Sequence, residues 1–301
     1  MLLRVTDPLQ PPIAMKSSLS PSILNIVNST PSKISQAEDK HGILVKSSVQ
    51  CKCCFGLAEH RGTLDFNKTC HDRIAGRVFP YSEILINYYV CKTCGFIFTP
   101  DMNDWSHQEF RQNIYNSEYC KADGALPGYE SAGRRETISY RNGLRLASIL
   151  DGAQDDINVL DYGAGGNPGD TGLALIEKGF RLQSYDPYFG NADELPDGQF
   201  DFIYLIEVIE HCADVNSLAQ TIAGLLSCRG IVHIQTMLHP NRGPKNILDS
   251  WYIAPRNGHI SIFTFEALSI LFRKYGINIT NHLYGIFGFK SNFNFPNKIF
   301  V

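Results

Sequence analysis

Three groups of residues in this 301-residue chain have types and spacings that could do chemistry. Cys51-Lys-Cys-Cys54 and Cys91-Lys-Thr-Cys94-Gly95 are two C-x₂-C hooks separated by thirty-six residues. Thiolates three apart on a tight turn can face one ion, so Cys51, Cys54, Cys91 and Cys94 make up the closed tetrahedral set that structural Zn²⁺ accepts. Gly95 supplies the positive φ that such a knuckle requires. Four protein ligands leave no coordination position for catalysis, so this metal is expected to hold the segment together. Buried free thiols are the plainer alternative, and Cys70-His71 is a weaker ligand candidate.

The second group is Val159-Leu-Asp161-Tyr-Gly163-Ala164-Gly165-Gly-Asn167-Pro168-Gly169, where a first strand meets a first helix. Glycines let the backbone approach a ligand closely, and the helix N-terminus offers free N–H groups. Dinucleotides and S-adenosylmethionine both use this geometry. A dinucleotide fingerprint starting at Gly163 needs a small residue at position 168, where this chain has Pro168. An acid two residues before the first glycine, here Asp161, instead suits the charged amino-acid portion of S-adenosylmethionine. Asp186, at the end of the next strand, suits the ribose of either cofactor.

The third group is Glu207-Val-Ile-Glu210-His211, at the carboxyl end of the apolar run that starts at Phe200, with His259 able to join from a later loop. Ligands bind at such strand ends in open parallel sheets. Three readings stay open: a mixed O/N site for Mg²⁺ or Mn²⁺; cofactor contact by Glu207 with His211 or His259 as a metal-free base; or acids that merely cap the next helix. His233, within a strand, reads as a core histidine. Trp251, Tyr252, Arg256 and Asn257 fall in a long loop expected to cover the mouth of the site.

Positioning these groups is the task of a strand and helix alternation. Ile157–Asp161, Leu182–Asp186, Phe200–Ile206 and Gly230–Thr236 read as strands, with helices at Thr171–Lys178, Val215–Leu226 and Phe265–Tyr275 and a β-prone tail. That pattern predicts a Rossmann-like α/β domain, a mostly parallel sheet with helices on both faces, over residues 151–301. Residues 1–45, rich in Ser and Pro, read as a disordered leader. Residues 46–100 form a small zinc-ribbon-like module, too short for an ordinary core without a staple. Residues 101–150 form a linker with helices near 105–115 and 130–150, interrupted at Ala125–Gly128.

Composition narrows the function. The chain has 27 Lys+Arg against 30 Asp+Glu, a net charge of −3, which argues against binding nucleic acid through bulk charge. Of its nine cysteines, six lie between Cys51 and Cys94, a pattern of metal binding in a reducing compartment rather than of a secreted disulfide framework. The start lacks the uninterrupted apolar stretch of a signal peptide, and no apolar run approaches the ~18 residues of a membrane span. A cytoplasmic protein without membrane partners is expected.

The stretch 157–290 resembles the class I S-adenosylmethionine-dependent methyltransferases, with Val-Leu-Asp-Tyr-Gly-Ala-Gly-Gly as first motif and Phe200–His211 as the fourth-strand motif. The cysteine module, Leu64–Cys70, Trp105–His107, Ile114–Asn116 and Trp251–Ser261 resemble a bacterial subgroup that places a zinc-ribbon-like segment before that domain. The resemblance implies methyl transfer to a small-molecule or sugar-like acceptor. It implies that Asp161, Gly163, Ala164, Gly165, Asp186 and Glu207 bind cofactor and that Glu207, Glu210, His211 and His259 activate the acceptor. The E-x-x-E-H arrangement is similar to that of metal-dependent RNA 2′-O-methyltransferases and ubiquinone-pathway O-methyltransferases. Two departures stand out: Asn167 replaces a third glycine, and only fourteen residues separate Asp186 from Asp201, which predicts a reduced third strand and helix. These departures motivate the rival expectation, a non-catalytic zinc-containing scaffold that keeps the fold.

Overall fold

The computed structural model describes residues 36–38, 44–123, 133–189, 194–240 and 247–290. Most of the expected leader and the interruption at Ala125–Gly128 lie outside the described residues. In chain order the elements are β1 (Gln36–Glu38), β2 (Leu44–Lys46), β3 (Ser48–Gln50), β4 (Leu57–Asp65), α1 (Asp72–Ala75), β5 (Leu85–Cys91) and β6 (Ile97–Phe98). Next come α2 (His107–Asn113), α3 (Tyr119–Ala122), α4 (Ile138–Ile149), β7 (Asn158–Tyr162), α5 (Asp170–Glu177), β8 (Arg181–Tyr185) and β9 (Phe200–Ile206). The remainder is α6 (Val215–Leu225), β10 (Leu226–Gln235), β11 (Ser261–Ile262), α7 (Phe265–Arg273), β12 (Ile277–His282) and β13 (Gly285–Lys290).

The principal sheet runs β12-β13-β10-β9-β7-β8. Its strands β10, β9, β7 and β8 are parallel, with β8 at the edge, and β13 adds antiparallel to β10. β9 reads Phe-Asp-Phe-Ile-Tyr-Leu-Ile, nearly continuous apolar, because it is buried on both faces, as a central parallel strand must be. Between β8 and β9 the described residues contain neither strand nor helix, so the sheet ends at β8. That is the reduction expected from the short Asp186-to-Asp201 spacing. The short αβ connections leave both β7 and β9 opening their carboxyl ends on the same edge, which brings the glycine turn and Glu207 together.

A second sheet runs β11-β6-β5-β4-β3, all antiparallel. Four of its strands come from the cysteine-rich segment and the fifth, β11, from the far end of the chain. Cys51, Cys91 and Phe96 share one hydrophobic cluster with Leu205, Leu218 and Leu268. The described residues from Gln36 onward accordingly fall in one compact unit.

The linker helices form close to where periodicity placed them. α2 starts with a capping box, in which Ser106 Oγ accepts from Glu109 N–H and the Glu109 carboxylate accepts from Ser106 N–H at 2.7 Å. α4 is shorter than the expected 130–150 because Thr137 caps it, its Oγ1 accepting from Tyr140 N–H at 3.0 Å. β10 begins earlier than expected, at Leu226, through an irregularity between Leu226 and Ile231.

Ile203 is fully buried at the centre of β9. Its replacement by alanine is expected to cost about 2–5 kcal/mol in urea-induced unfolding, the range for a buried aliphatic truncation.

Candidate functional site

One cavity of about 1440 Å³ runs along the carboxyl ends of the parallel strands. It is lined by the glycine turn and Asp186, and also by Glu207, His211, Trp251 and His259. Its volume exceeds the roughly 300–1,000 Å³ of a typical single-ligand pocket, so it has room for two reactants.

At the glycine turn the backbone geometry is dictated by contact. Gly163 stands at φ +84, and a Cβ there would sit 2.4 Å from Val208 Cγ2. Gly163 and Ala164 N–H groups both donate to Tyr185 O, at 2.7 and 3.1 Å. Gly165 N–H donates to Asp186 Oδ2 at 2.8 Å, while Asp186 Oδ1 accepts from Tyr188 and Phe189 N–H at 2.8 and 2.9 Å. Asp186 therefore fixes both lips of the turn, with Oδ1 fully used and one lone pair on Oδ2 still free for a ligand. Asp161 is buried, its Oδ2 lacks a partner, and burial pushes its carboxyl up to about 7. A buried carboxylate without a partner is costly, and a ligand cation at that oxygen would relieve it.

Glu207 follows β9 directly and is held at φ +52, a left-handed conformation that non-glycine residues rarely adopt, with its N–H donating to Gln235 O at 2.8 Å. This turn lifts its carboxylate into the cavity. Glu210 lies behind, fully buried, on the 3₁₀ turn Ile209–His211. Tyr252 joins the two acids: its hydroxyl lies 2.9 Å from Glu207 Oε2 and 2.5 Å from Glu210 Oε1. One phenolic hydrogen cannot serve two carboxylates, so the pair retains a proton of its own. Burial and the neighbouring Glu210 push Glu207 up to about 8, and burial raises Glu210 as well.

His259 Nδ1 lies 2.7 Å from Tyr252 O, so that nitrogen carries the hydrogen and Nε2 presents its lone pair. His211 packs edge-on against it with ring centroids 4.8 Å apart. One ligand atom each from Glu210, His211 and His259 lie within 4.8 Å of one another. Glu210 Oε2 and His211 Nδ1 are buried without a hydrogen-bond partner. Burial keeps both imidazoles neutral, with His211 down to about 4 and His259, further lowered by His211, to about 3. A carboxylate oxygen and neutral imidazole nitrogens, unused by the protein, are a donor set that a divalent cation accepts. Glu207 is outside this set.

The two cysteine hooks converge. Cys51 Sγ lies 3.8 Å from Cys94 Sγ, Cys54 Sγ lies 3.4 Å from Cys91 Sγ, and all four sulfurs fall within 4.8 Å of one another. Sulfurs around one ion at Zn–S ≈ 2.3 Å stand about 3.8 Å apart, so the cluster has the dimensions of a tetrahedral zinc site. Gly95 takes φ +70 after the second hook, as expected. Cys53 is outside the cluster, its thiol donating to Ala267 O at 3.0 Å.

The chain matches the methyltransferase domain family over residues 133–282. Those residues are thus similar to a methyltransferase domain. No protein of curated function matches the chain by sequence. Among solved structures it is similar to DesVI of Streptomyces venezuelae, with 10% identity over 52% of this chain and 94% of that one at a TM-score of 0.39. It is also similar to CalO1, a methyltransferase of calicheamicin biosynthesis in its SAH-bound form, with 16% identity over 64% and 69% of the two chains at 0.40. The mitomycin 7-O-methyltransferase MmcR is a third, with 13% identity over 63% and 70% at 0.39.

The methyltransferase domain uses the loop after β10 differently from expectation. Trp251 and Tyr252 line the cavity, whereas Arg256 and Asn257 turn away from it. Arg256 Nη1 donates to Ile114 O at 2.8 Å, and Asn257 Nδ2 donates to Ala122 O at 3.1 Å while its Oδ1 accepts from Cys70 N–H at 2.9 Å. Their polar atoms tie the loop to the linker. His233 is a core residue, packed against Phe287 at 4.8 Å, though its Nδ1 lacks a partner and burial pushes it down to about 4. Cys70 lines the cavity, with Sγ 3.5 Å from His259 Nδ1. Asp123, at the end of α3, was missed by sequence reasoning. It also lines the cavity, and burial together with Glu207 pushes it up to about 6. Nothing in its local sequence signals the role, since only the packing of α3 brings it there.

Because Glu207 and Asp123 are harder to ionise when folded, the folded state binds more protons than the unfolded chain above the ordinary carboxylate range. Their contribution to stability is complete below the unfolded value and is lost as pH rises through about 6 and then about 8. Below about pH 6.5 the buried neutral His211, His233 and His259 act in the opposite sense. The melting temperature of the ligand-free protein is therefore expected to fall between about pH 7 and 8, and Glu207→Gln to flatten that fall in a calorimetric series. Metal analysis of protein purified without added zinc is expected to find one zinc ion per chain, and Cys91→Ser to lose it together with thermal stability.

Proposed function

We propose that the protein transfers the methyl group of S-adenosylmethionine to a hydroxyl of a small, ring-bearing acceptor, with a divalent cation at Glu210, His211 and His259. The observation that carries this reading is the single cavity in which the glycine turn, Asp161 and Asp186 share space with Glu207 and the paired histidines. The aromatic side chains Trp105, Tyr115, Tyr119, Tyr188 and Trp251 in the same cavity suit a ring.

Methyl transfer is an in-line displacement at a sulfonium carbon, so alignment and exclusion of water are the protein's main tasks. Asp161 meets the cofactor's ammonium group, the turn from Gly163 through Gly165 gives it room, and Asp186 Oδ2 accepts from a ribose hydroxyl. The cation, when bound, lowers the pKa of the acceptor hydroxyl. With the cation on Glu210, the acid pair gives up its retained proton, which leaves Glu207 ionised to take the acceptor's proton as the acceptor oxygen takes the methyl group and the sulfonium becomes a neutral thioether. Tyr252 keeps Glu207 oriented, and its aromatic ring excludes water from Glu210. The unused donor atoms Glu210 Oε2 and His211 Nδ1 support the cation over acids that merely cap a helix. Among the described residues no helix is long and apolar enough to cross a membrane.

Calorimetry with S-adenosylmethionine tests the cofactor half. Binding near pH 7 is expected to release a fraction of a proton as the ammonium group draws Asp161 into its ionised form, seen as a dependence of the heat on buffer ionisation enthalpy. Asp161→Asn should abolish that dependence, and Asp186→Ala should weaken binding at least about tenfold. No binding by the wild-type protein would leave the scaffold reading in place. Transfer of labelled methyl groups to a panel of phenols and sugars, with and without Mn²⁺, tests the acceptor half. Glu210→Gln should abolish the Mn²⁺ dependence.

A further inference from the structure

The cysteine-rich segment is built into the walls of the cavity. His71, Arg73 and Ile74, in and just before α1, line it, and the Arg73 guanidinium lies over the Trp251 ring at 3.6 Å. The loop that carries His259 is bonded to the segment at several points, while His259 and Ile260 N–H donate to Ala254 O and Glu210 O at 3.2 and 3.0 Å. Tyr88, fully buried on β5, donates from its hydroxyl to His259 O at 3.0 Å. Thr99 N–H donates to Ile260 O at 3.1 Å, and β11 pairs Ser261 with Phe98 and Ile262 with Ile97. Upstream, Arg256 N–H donates to Lys68 O at 3.2 Å, and Lys68 Nζ donates to Leu248 O and Ser250 O at 2.9 Å each. Downstream, Thr264 Oγ1 donates to Cys94 O at 2.6 Å, so the second hook is fastened to the start of α7.

By contrast, Asp161, Gly163, Gly165 and Asp186 take their positions from β7 and β8 and make no bond to this segment among the described contacts. The cavity thus has two halves held by different elements, which meet where Val208 packs against Gly163.

We propose that the cysteine-rich segment forms the acceptor half of the methyl-transfer site, with Tyr88 as the positioning residue that holds His259 against Glu210. This rests on the reading of the cavity as a methyl-transfer site. The segment fixes where the acceptor sits, whereas the β7–β8 edge fixes where the cofactor sits. Stapling the hooks by a metal therefore acts on acceptor geometry through β5, β6 and β11, and reaches the cofactor end only through the contact of Val208 with Gly163.

Hydrogen exchange on the full-length protein, resolved to single amides, together with calorimetry using S-adenosylhomocysteine as probe, tests this. In the wild type, the β11 amides of 261–262, which pair with β6, are expected to share the protection and denaturant dependence of 86–98 and to differ from those of 159–185. Tyr88→Phe removes only the hydroxyl and should lower protection at 261–262 by about tenfold, the weight of one buried hydrogen bond, with S-adenosylhomocysteine affinity changed less than about threefold. The proposal is overturned if 261–262 exchange together with 159–185, if Tyr88→Phe leaves them unchanged, or if probe affinity falls in step with their protection. The wild-type comparison decides the matter even where the variant does not fold. Failure of the wild type to bind the probe overturns the methyl-transfer reading itself, an outcome separate from any pattern of exchange.

Discussion

A fully buried carboxyl group, Glu210, is the constraint around which the rest of the site is arranged. Removing an ionisable acid from water is expensive unless it is neutral, hydrogen-bonded or paired with a cation. One oxygen is satisfied by the Tyr252 hydroxyl at 2.5 Å, and the other faces two neutral imidazoles without a bond. Tyr252 in turn reaches Glu207, so a single side chain from the loop after β10 sets the protonation and direction of both acids. The φ of +52 at Glu207 has the same origin. Only a sharp turn at the end of β9 can place one acid in the cavity and the next, three residues on, behind it.

The cofactor end obeys a different rule. Its shape comes from hard contacts and from main-chain bonds to one acid: Val208 fills the space a Cβ on Gly163 would need, and Asp186 is shared among three N–H groups. Val208 belongs to the Glu207–His211 motif, so the two ends of the site meet at this contact. Loss of the third strand and its helix leaves β8 at the sheet edge. The ring of Tyr188 beside it packs against Tyr115 of the linker at 4.6 Å, and that aromatic packing closes the side that a further strand would otherwise cover.

The cysteine hooks follow the same economy of a small core. Short strands and four sulfurs would not make a stable domain alone, yet here they share a cluster with α6 and α7, and β11 completes their sheet. The segment is thus a lateral extension of the methyltransferase fold. Its free face is one wall of the cavity, with Arg73 resting on Trp251.

The chemistry-bearing residues and the parallel sheet were legible in the sequence because both depend on local rules. Glycine at a tight strand-to-helix turn, C-x₂-C spacing and an apolar run from Phe200 are each decided within a few residues. The convergence of Cys51, Cys54, Cys91 and Cys94, and the missing third strand, follow from the same reasoning. What only the tertiary structure decided depends on distant partners. Arg256 and Asn257 look like lid residues by type, but main-chain acceptors at Ile114 and Ala122 claim them. Glu207 and Glu210 look equivalent as ligands, but one is exposed to the cavity and the other lies behind it. Tyr88, Cys70 and Asp123 carry no local signal, since each reaches the site through a contact that spans more than eighty residues of chain. Sequence spacing sets which atoms can act, and long-range packing sets which of them are left without a partner and so remain available to a ligand.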